Sequence, residues 1–360
     1  MHLTALPVLL PFLGAVIVLI PWFNKRIAQQ RLVAQLFLLG TLAVSIVLFT
    51  QTMAEGAQGY AMGEWEAPFG IFLIADPLAG FMLILAGVLA LASHLYACGG
   101  DDQTGKFFHP LFLFQLMGIN GAFLTADAFN LFVFFEILLI ASYSLLIHGG
   151  GKERTRAAQH YVLYNLIGSA FFLIALAVLY RAYGTLSIPD MAARSSSLPE
   201  ESLPLAKAGG LLLMAVFGIK AALLPLHFWL PRTYSSTSIP VAALFAIMTK
   251  VGVYSLWRVH GTVFGDDAGA VANLGKDALM WLSGATVIIG SVGVLASQSL
   301  RWLIANLIIV SVGTLLMTVA IGTVAATAAG IYYALHSTFM SGAFFLVAGL
   351  LIMQRGQAGD

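Results

Sequence analysis

Residues 208–231 read AGGLLLMAVFGIKAALLPLHFWLP. The run is apolar over a length that crosses a bilayer, for which about 20 residues suffice, yet it holds Lys220 and Pro225. Working outward, 239–257 (IPVAALFAIMTKVGVYSLW) buries a second lysine, Lys250, and 129–147 (FNLFVFFEILLIASYSLLI) buries a carboxylate, Glu136. Each such charge costs roughly 3 kcal/mol at the middle of a membrane. A packing role does not explain three of them, and a charge-relay path through a membrane does.

Composition agrees. The 360 residues are 60% hydrophobic and 9% charged, and the mean hydropathy is +0.92. Soluble domains carry about 25% charged residues. The reading is an all-α polytopic transmembrane helix bundle. A net charge of +1 without a basic cluster gives no signal for nucleic acid. One cysteine, Cys98, excludes an internal disulfide or a multi-cysteine metal site, and the eight histidines form no metal motif. No metal and no cofactor is expected. The first apolar stretch is followed, not preceded, by positive charge, so it reads as a retained span.

Hydropathy predicts about eleven spans: 4–23, 32–52, 72–97, 107–125, 128–148, 157–182, 208–229, 238–260, 278–297, 302–322 and 326–352. Loops on one side and the C-terminus hold Lys25, Arg26, Arg31, Lys106, Lys152, Arg154, Arg156, Arg232, Arg301 and Arg355, while most acids, Glu66 among them, fall on the other. The positive-inside rule then predicts an N-terminus outside and a C-terminus in the cytoplasm, in a cell inner (cytoplasmic) membrane. Two polar loops on the outer side, 53–70 and 183–207, read as plain connectors.

The polar residues inside the spans form the candidate pathway. Glu136 lies eight residues into its helix, about 12 Å down at 1.5 Å per residue. Tyr143 shares its face. Lys220 is the natural partner for Glu136; the bland alternative is a static salt bridge that fixes helix register. Pro225 removes a backbone donor and is expected to break the helix beside Lys220. His227, seven residues after Lys220, reads as the next station. Lys250, with Thr249 beside it and Tyr254 one turn on, has no acid in its own span. Desolvation disfavours its charged form, so it can shed and regain a proton. Tyr332 and His336 share a face of the last span. His94 and His109 read as structural or interfacial, Asp76 and Asp127 as helix caps, and Arg232 and Arg301 as anchors of the cytoplasmic boundary.

Three stretches carry a family resemblance: 129–146, 218–259 (GIKAALLPLHFWLPRTYSSTSIPVAALFAIMTKVGVYSLWRV) and 300–316 (LRWLIANLIIVSVGTLL). Together they resemble the antiporter-like proton-translocating subunits shared by respiratory complex I, membrane-bound hydrogenases and Mrp-type cation/proton antiporters. WLPRTYSS at 229–236 is most similar to the D subunit of the Mrp-type Na+/H+ antiporters. The resemblance implies a bundle of fourteen helices with two inverted five-helix repeats, each with a broken helix, and no cofactor. It also implies other membrane subunits as partners in a hetero-oligomer, with protons and sodium ions carried. By motif, Glu136, Lys220 and Lys250 match the charged residues of the fifth, broken seventh and eighth helices, and His336 a histidine of the eleventh.

On that basis the chain divides into an N-terminal three-helix segment (1–106), a first antiporter-like repeat (107–260) and an incomplete second repeat (278–360). The family's broken twelfth helix has no counterpart in these residues, so a C-terminally shortened form, or a second repeat completed by a partner, is expected. The expected function is proton translocation along a Glu/Lys/His axis in a multisubunit cation/proton antiporter, and not enzymatic catalysis. Two alternatives stand beside it: a membrane-arm pump subunit of a redox complex of the complex I or hydrogenase type, and a non-conducting scaffold.

Overall fold

The computed structural model describes residues 2–24, 26–65 and 70–357. Lys25, Glu66 and the side chain of Arg355, which enter the charge count above, lie outside the described residues.

The chain opens with α1 (Leu6–Leu19), the short α2 (Pro21–Asn24) and the long α3 (Ile27–Glu55). A two-stranded antiparallel hairpin follows, β1 (Gln58–Ala61) against β2 (Phe72–Ala75), with Gln58 opposite Ala75. Next come α4 (Pro77–Ala97), α5 (Phe108–Leu124), α6 (Ala128–Leu146), α7 (Lys152–Tyr183) and the short α8 (Ile188–Ser195). The second half holds α9 (Leu203–Ala221), α10 (Trp229–Ser236), α11 (Ile239–Phe245) and α12 (Met248–Val263). The last three helices are α13 (Lys276–Leu295), α14 (Leu300–Ile321) and α15 (Val324–Gln357).

Among the described residues, ten helical segments are long and apolar enough to cross a membrane, and α5, with 17 residues, is a shorter apolar helix. The eleven expected spans are thus ten full-length ones and this shorter one. In the segment Ile239–Val263, formed by α11 and α12, 94% of an 18-residue apolar window is buried. The segment is the spine around which the bundle packs, which is why a lysine within it meets protein on all sides. α1 packs on α3 and α5, α5 on α6, α7 on α9, and α9 on α12.

The two polar loops differ from the plain connectors expected. The first carries β1, and its partner β2 takes up the start of the expected span 72–97, whose helix begins only at Pro77; the second carries α8, and backbone pairing through residues 126–128 joins the two. The Ala126 amide donates to the Phe72 carbonyl at 3.0 Å, Ile188 to Ala126 at 2.9 Å, and Ala128 to Leu186 at 2.9 Å. Backbone groups at a bundle end need partners, and here they find them across three loops. This hairpin side fixes the ends of α4, α5, α6 and α7 relative to one another. Asp76 and Asp127 cap α4 and α6 as expected, accepting from the amides of Ala79 at 2.8 Å and Asn130 at 2.7 Å.

On the opposite side His94 and His109 are buried and face each other, Nε2 to Nδ1, at 2.9 Å. Asp102 lies 3.3 Å from His109 Nε2 and holds Arg31 through two bonds of 2.6 and 2.8 Å. This network ties α3, α4 and α5 together, the structural role read from the sequence. Arg232 lies 3.5 Å from Glu153, and Arg301 donates to the Thr237 carbonyl.

Candidate functional site

Three helices bring two of the membrane charges together. α6 supplies Glu136, α9 supplies Lys220, and α7, packed on both, supplies Asn165 and Ser169 between them. The Ser169 hydroxyl donates to Glu136 Oε1. It accepts from Lys220 Nζ at 3.2 Å, and the Asn165 carbonyl lies 3.5 Å from the same nitrogen. Lys220 Nζ also stands 5.7 Å from the centroid of the Phe135 ring, a cation–π distance. Lys220 is buried, whereas Glu136 is half-buried. A direct salt bridge, the bland alternative, is not what forms: no Glu136–Lys220 ion pair is present among the described residues. One hydroxyl joins the two charges and separates them.

The helix break beside Lys220 is real but lies earlier than Pro225. α9 ends at Ala221, and Ala222 turns left-handed at φ 65°, ψ 44°, a conformation costing an L-residue roughly 1–2 kcal/mol. Leu223 N–H returns to the Gly218 carbonyl at 2.8 Å. Trp229 Nε1 donates to the Ile219 carbonyl at 3.1 Å, and Leu224 N–H donates to Thr286 Oγ1 at 3.0 Å. Backbone polar groups inside a membrane are tolerated outside a helix only where protein satisfies them; here Trp229 and Thr286 do so. Pro225 sits in the unwound link 223–228.

His227 lies in the same link, so the helical spacing that aligned it with Lys220 does not apply. Its ring packs 4.3 Å from that of Phe228, and its Nδ1 has no hydrogen-bond partner among the described residues.

A small cavity touches Phe135, Tyr161, Asn165, Lys220, Trp229 and Met248. Its volume of about 10 Å³ is room for one water. It reaches from Lys220 to within two residues of Lys250. Lys250 is 1% exposed, and neither its Nζ nor Thr249 Oγ1 has a hydrogen-bond partner among the described residues. A second interruption, at Ala246–Ile247, separates α11 from α12 just before it. Gly252 then brings α12 onto the broken end of α9: a Cβ there would lie 2.8 Å from the Ala221 amide nitrogen. The two lysines are therefore held by one backbone-to-backbone contact.

The remaining expected positions divide. Tyr143 packs edge-on against Tyr161 with centroids 5.3 Å apart, beside the track. Tyr254 is locked, donating to the Phe123 carbonyl and accepting from Arg258 Nε at 2.7 Å. Tyr332, 72% exposed, and His336, also exposed, lie on the outer face of α15 and not in the interior expected for them. The spacing rightly places them on one face, but periodicity does not say which way a face points. Among the described residues no group of three or more His, Cys, Asp or Glu side chains could hold a metal ion.

Residues 125–359 match the family described as NADH:quinone oxidoreductase/Mrp antiporter, TM. The chain belongs to this family. Within the NADH:quinone oxidoreductase/Mrp antiporter family it is 41% identical to a probable K(+)/H(+) antiporter D subunit of Rhizobium meliloti, over 100% of this chain and 67% of that protein. It is 35% identical to the Na(+)/H(+) antiporter D subunit of Bacillus subtilis, over 98% of this chain and 71% of that one. A chain of the Mrp complex from Dietzia sp. DQ12-45-1b superposes with a TM-score of 0.87 at 27% identity, covering 96% of this chain and 64% of that one. A chain of an archaeal membrane-bound sulfane sulfur reductase, at 24% identity and a TM-score of 0.88, shares the fold. The chain spans about two thirds of the length of the relatives it matches.

For this family member, Ser169 and Asn165 are the site residues that the sequence reading passes over. A signal is there. They stand four apart in YVLYNLIGSAFF, residues 161–172, a polar pair on one face of a mostly apolar stretch.

Proposed function

We propose that this chain is a proton-translocating membrane subunit of a multisubunit monovalent cation/proton antiporter, a transporter component without enzymatic activity of its own. The observation that carries the reading is the hydrogen-bonded chain Glu136–Ser169–Lys220. Family membership supports it, as do relatives named as Na(+)/H(+) or K(+)/H(+) antiporter subunits. In this reading, an ionised Glu136 holds Lys220 charged through the serine. A proton arriving on Glu136 removes that support, and the Lys220 ammonium gives its proton to water in the adjoining cavity, toward Lys250. His227 assists on the link side. Sodium or potassium is the exchanged cation, and other membrane subunits are the partners. Residues 107–260 form the conducting repeat. The hairpin side faces outward in a cell inner membrane, because Arg26, Arg31, Lys106, Lys152, Arg154, Arg156, Arg232 and Arg301 gather on the other side.

The test uses vesicles of the assembled complex with a pH-sensitive dye inside. Glu136→Ala is expected to abolish cation-driven proton movement, and Glu136→Asp to keep part of it. Full exchange in Glu136→Ala would sink the proposal.

Ser169→Ala is a finer probe in the same vesicles. It removes hydrogen bonds to two charged groups, each worth about 1.5–3 kcal/mol, so exchange should fall at least about tenfold. Ser169→Thr, which keeps the hydroxyl, should stay close to wild type. Equal losses in both would show that packing, and not the hydroxyl, matters at this position.

A further inference from the structure

Two cavities open on the hairpin side at the far end of α12. One, of about 280 Å³, touches Leu78, Trp257, Arg258, His260, Thr262 and Lys276. The other, of about 240 Å³, touches Ile74, Phe123, Ile188, Tyr254, Arg258 and Thr262. Arg258 and Thr262 border both. Lys250, Tyr254 and Arg258 follow at i, i+4 and i+8 on one face of α12. From the first cavity the line to Lys250 passes Arg258 and then Tyr254; the second cavity touches Tyr254 directly, with Arg258 at its border.

Both are fixed. Arg258 holds Asp76 through two nitrogens, and its Nε donates to the Tyr254 hydroxyl, which is in turn anchored on the Phe123 carbonyl. The guanidinium also lies 5.0 Å from the Tyr254 ring centroid. Asp76 is committed elsewhere too, since Oδ1 caps α4. The array thus has one cation shared between two cavities, and its counter-ion sits at the start of another helix.

We propose that Arg258 is a charge barrier on the transport route: it keeps protons and metal cations in the hairpin-side cavities from reaching Lys250, with Tyr254 as the plug beneath it. Arg258 borders both cavities and its counter-ion Asp76 borders neither, so the cavities meet the positive end of the ion pair, which disfavours cations there. A lysine that carries protons for exchange needs this protection, because a path open to one side at all times leaks. Asp76 has a positioning role. It holds the guanidinium between the cavities and keeps it from turning out to solvent. The route through Lys250 rests on the function proposed above; the barrier is tested by a separate readout.

That readout is passive proton leak into vesicles of the assembled complex, with no exchangeable cation present and a membrane potential imposed. Arg258→Gln is expected to raise the leak several-fold, and Arg258→Lys, which keeps the charge, to stay near wild type. Adding Lys250→Ala to Arg258→Gln should return the leak to baseline. Thr262→Asp sets a negative charge at the shared mouth, one turn from Arg258, while leaving Arg258 and Asp76 in place, and it should raise the leak even if Arg258→Gln fails to assemble. A leak unchanged in both Arg258→Gln and Thr262→Asp overturns the barrier. So does Arg258→Lys leaking as much as Arg258→Gln, which would mark the residue as a packing clamp. A leak that survives Lys250→Ala overturns its place on this route. None of these outcomes depends on whether Glu136→Ala abolishes exchange, so the two proposals fail separately.

Discussion

Lys220→Met is expected to abolish cation–proton exchange while the complex still assembles. The reasoning starts from what the substitution leaves behind. Methionine fills nearly the same volume, and replacing a buried charge by an apolar group of similar shape is often neutral or stabilising. The Phe135 ring and the cavity wall keep an apolar neighbour. Ser169 loses its donor, however, and Glu136 loses the cation that the serine connects to it. The loss should exceed about 100-fold, because the step itself, and not merely its rate-determining geometry, is gone; two lost charge-assisted contacts of about 1.5–3 kcal/mol each already suffice for that. Exchange in proteoliposomes measures it, and native size on gel filtration checks assembly. Wild-type exchange from an assembled Lys220→Met complex would place the proton path elsewhere.

The second large effect is expected at Gly252, a residue with no polar chemistry. Its missing side chain lets α12 rest on the end of α9, and the atoms a Cβ would strike, the backbone nitrogen and Cα of Ala221, cannot swing aside. Gly252→Ala should cost about 1–3 kcal/mol by overpacking, and Gly252→Leu more. Thermal unfolding in lipid nanodiscs should show a lowered midpoint for both. Gly261→Ala is the control within the same helix, since nothing lies within 4 Å of its Cβ position. There the helix preference for alanine over glycine should leave the midpoint unchanged or higher. Exchange should fall in Gly252→Ala beyond what the lost folded fraction explains, since the substitution forces Lys250 away from the cavity beside Lys220. If Gly252→Ala and Gly261→Ala behave alike, the close contact is not what sets the spacing of the two lysines.

What the residues disclose in sequence differs from one position to the next. The spans are legible because solvation in lipid acts on composition over about 20 residues, and composition is what a sequence displays. Glu136, Lys220 and Lys250 are legible because a lone charge in such a run is costly and so stands out. The break is legible as a break, through Pro225, but its site at Ala222 is not: that depends on Trp229 and Thr286 reaching the freed backbone groups, which is a matter of packing. Ser169 escapes notice because a small hydroxyl in a helix costs little and so leaves little trace. The Asp76–Arg258 pair joins residues 182 positions apart, and no local pattern announces such a partner. For His336 and Tyr332 the shared face is legible and its direction is not, since an isolated helix has no inside.

The stitching of the hairpin-side loops has a mechanical consequence. Backbone bonds of 2.9–3.0 Å between Phe72, Ala126, Ala128, Leu186 and Ile188 pin the ends of four spans into one rim. Both interruptions of regular helix, at 222–228 and 246–247, lie away from that rim. Those bonds tie α4 through α7 together, whereas the interruptions fall in the α9–α10 and α11–α12 links, which the stitching does not reach. Lys220 and Lys250 each stand within three residues of such an interruption, so the helices that carry the two buried lysines are the ones the rim leaves untied.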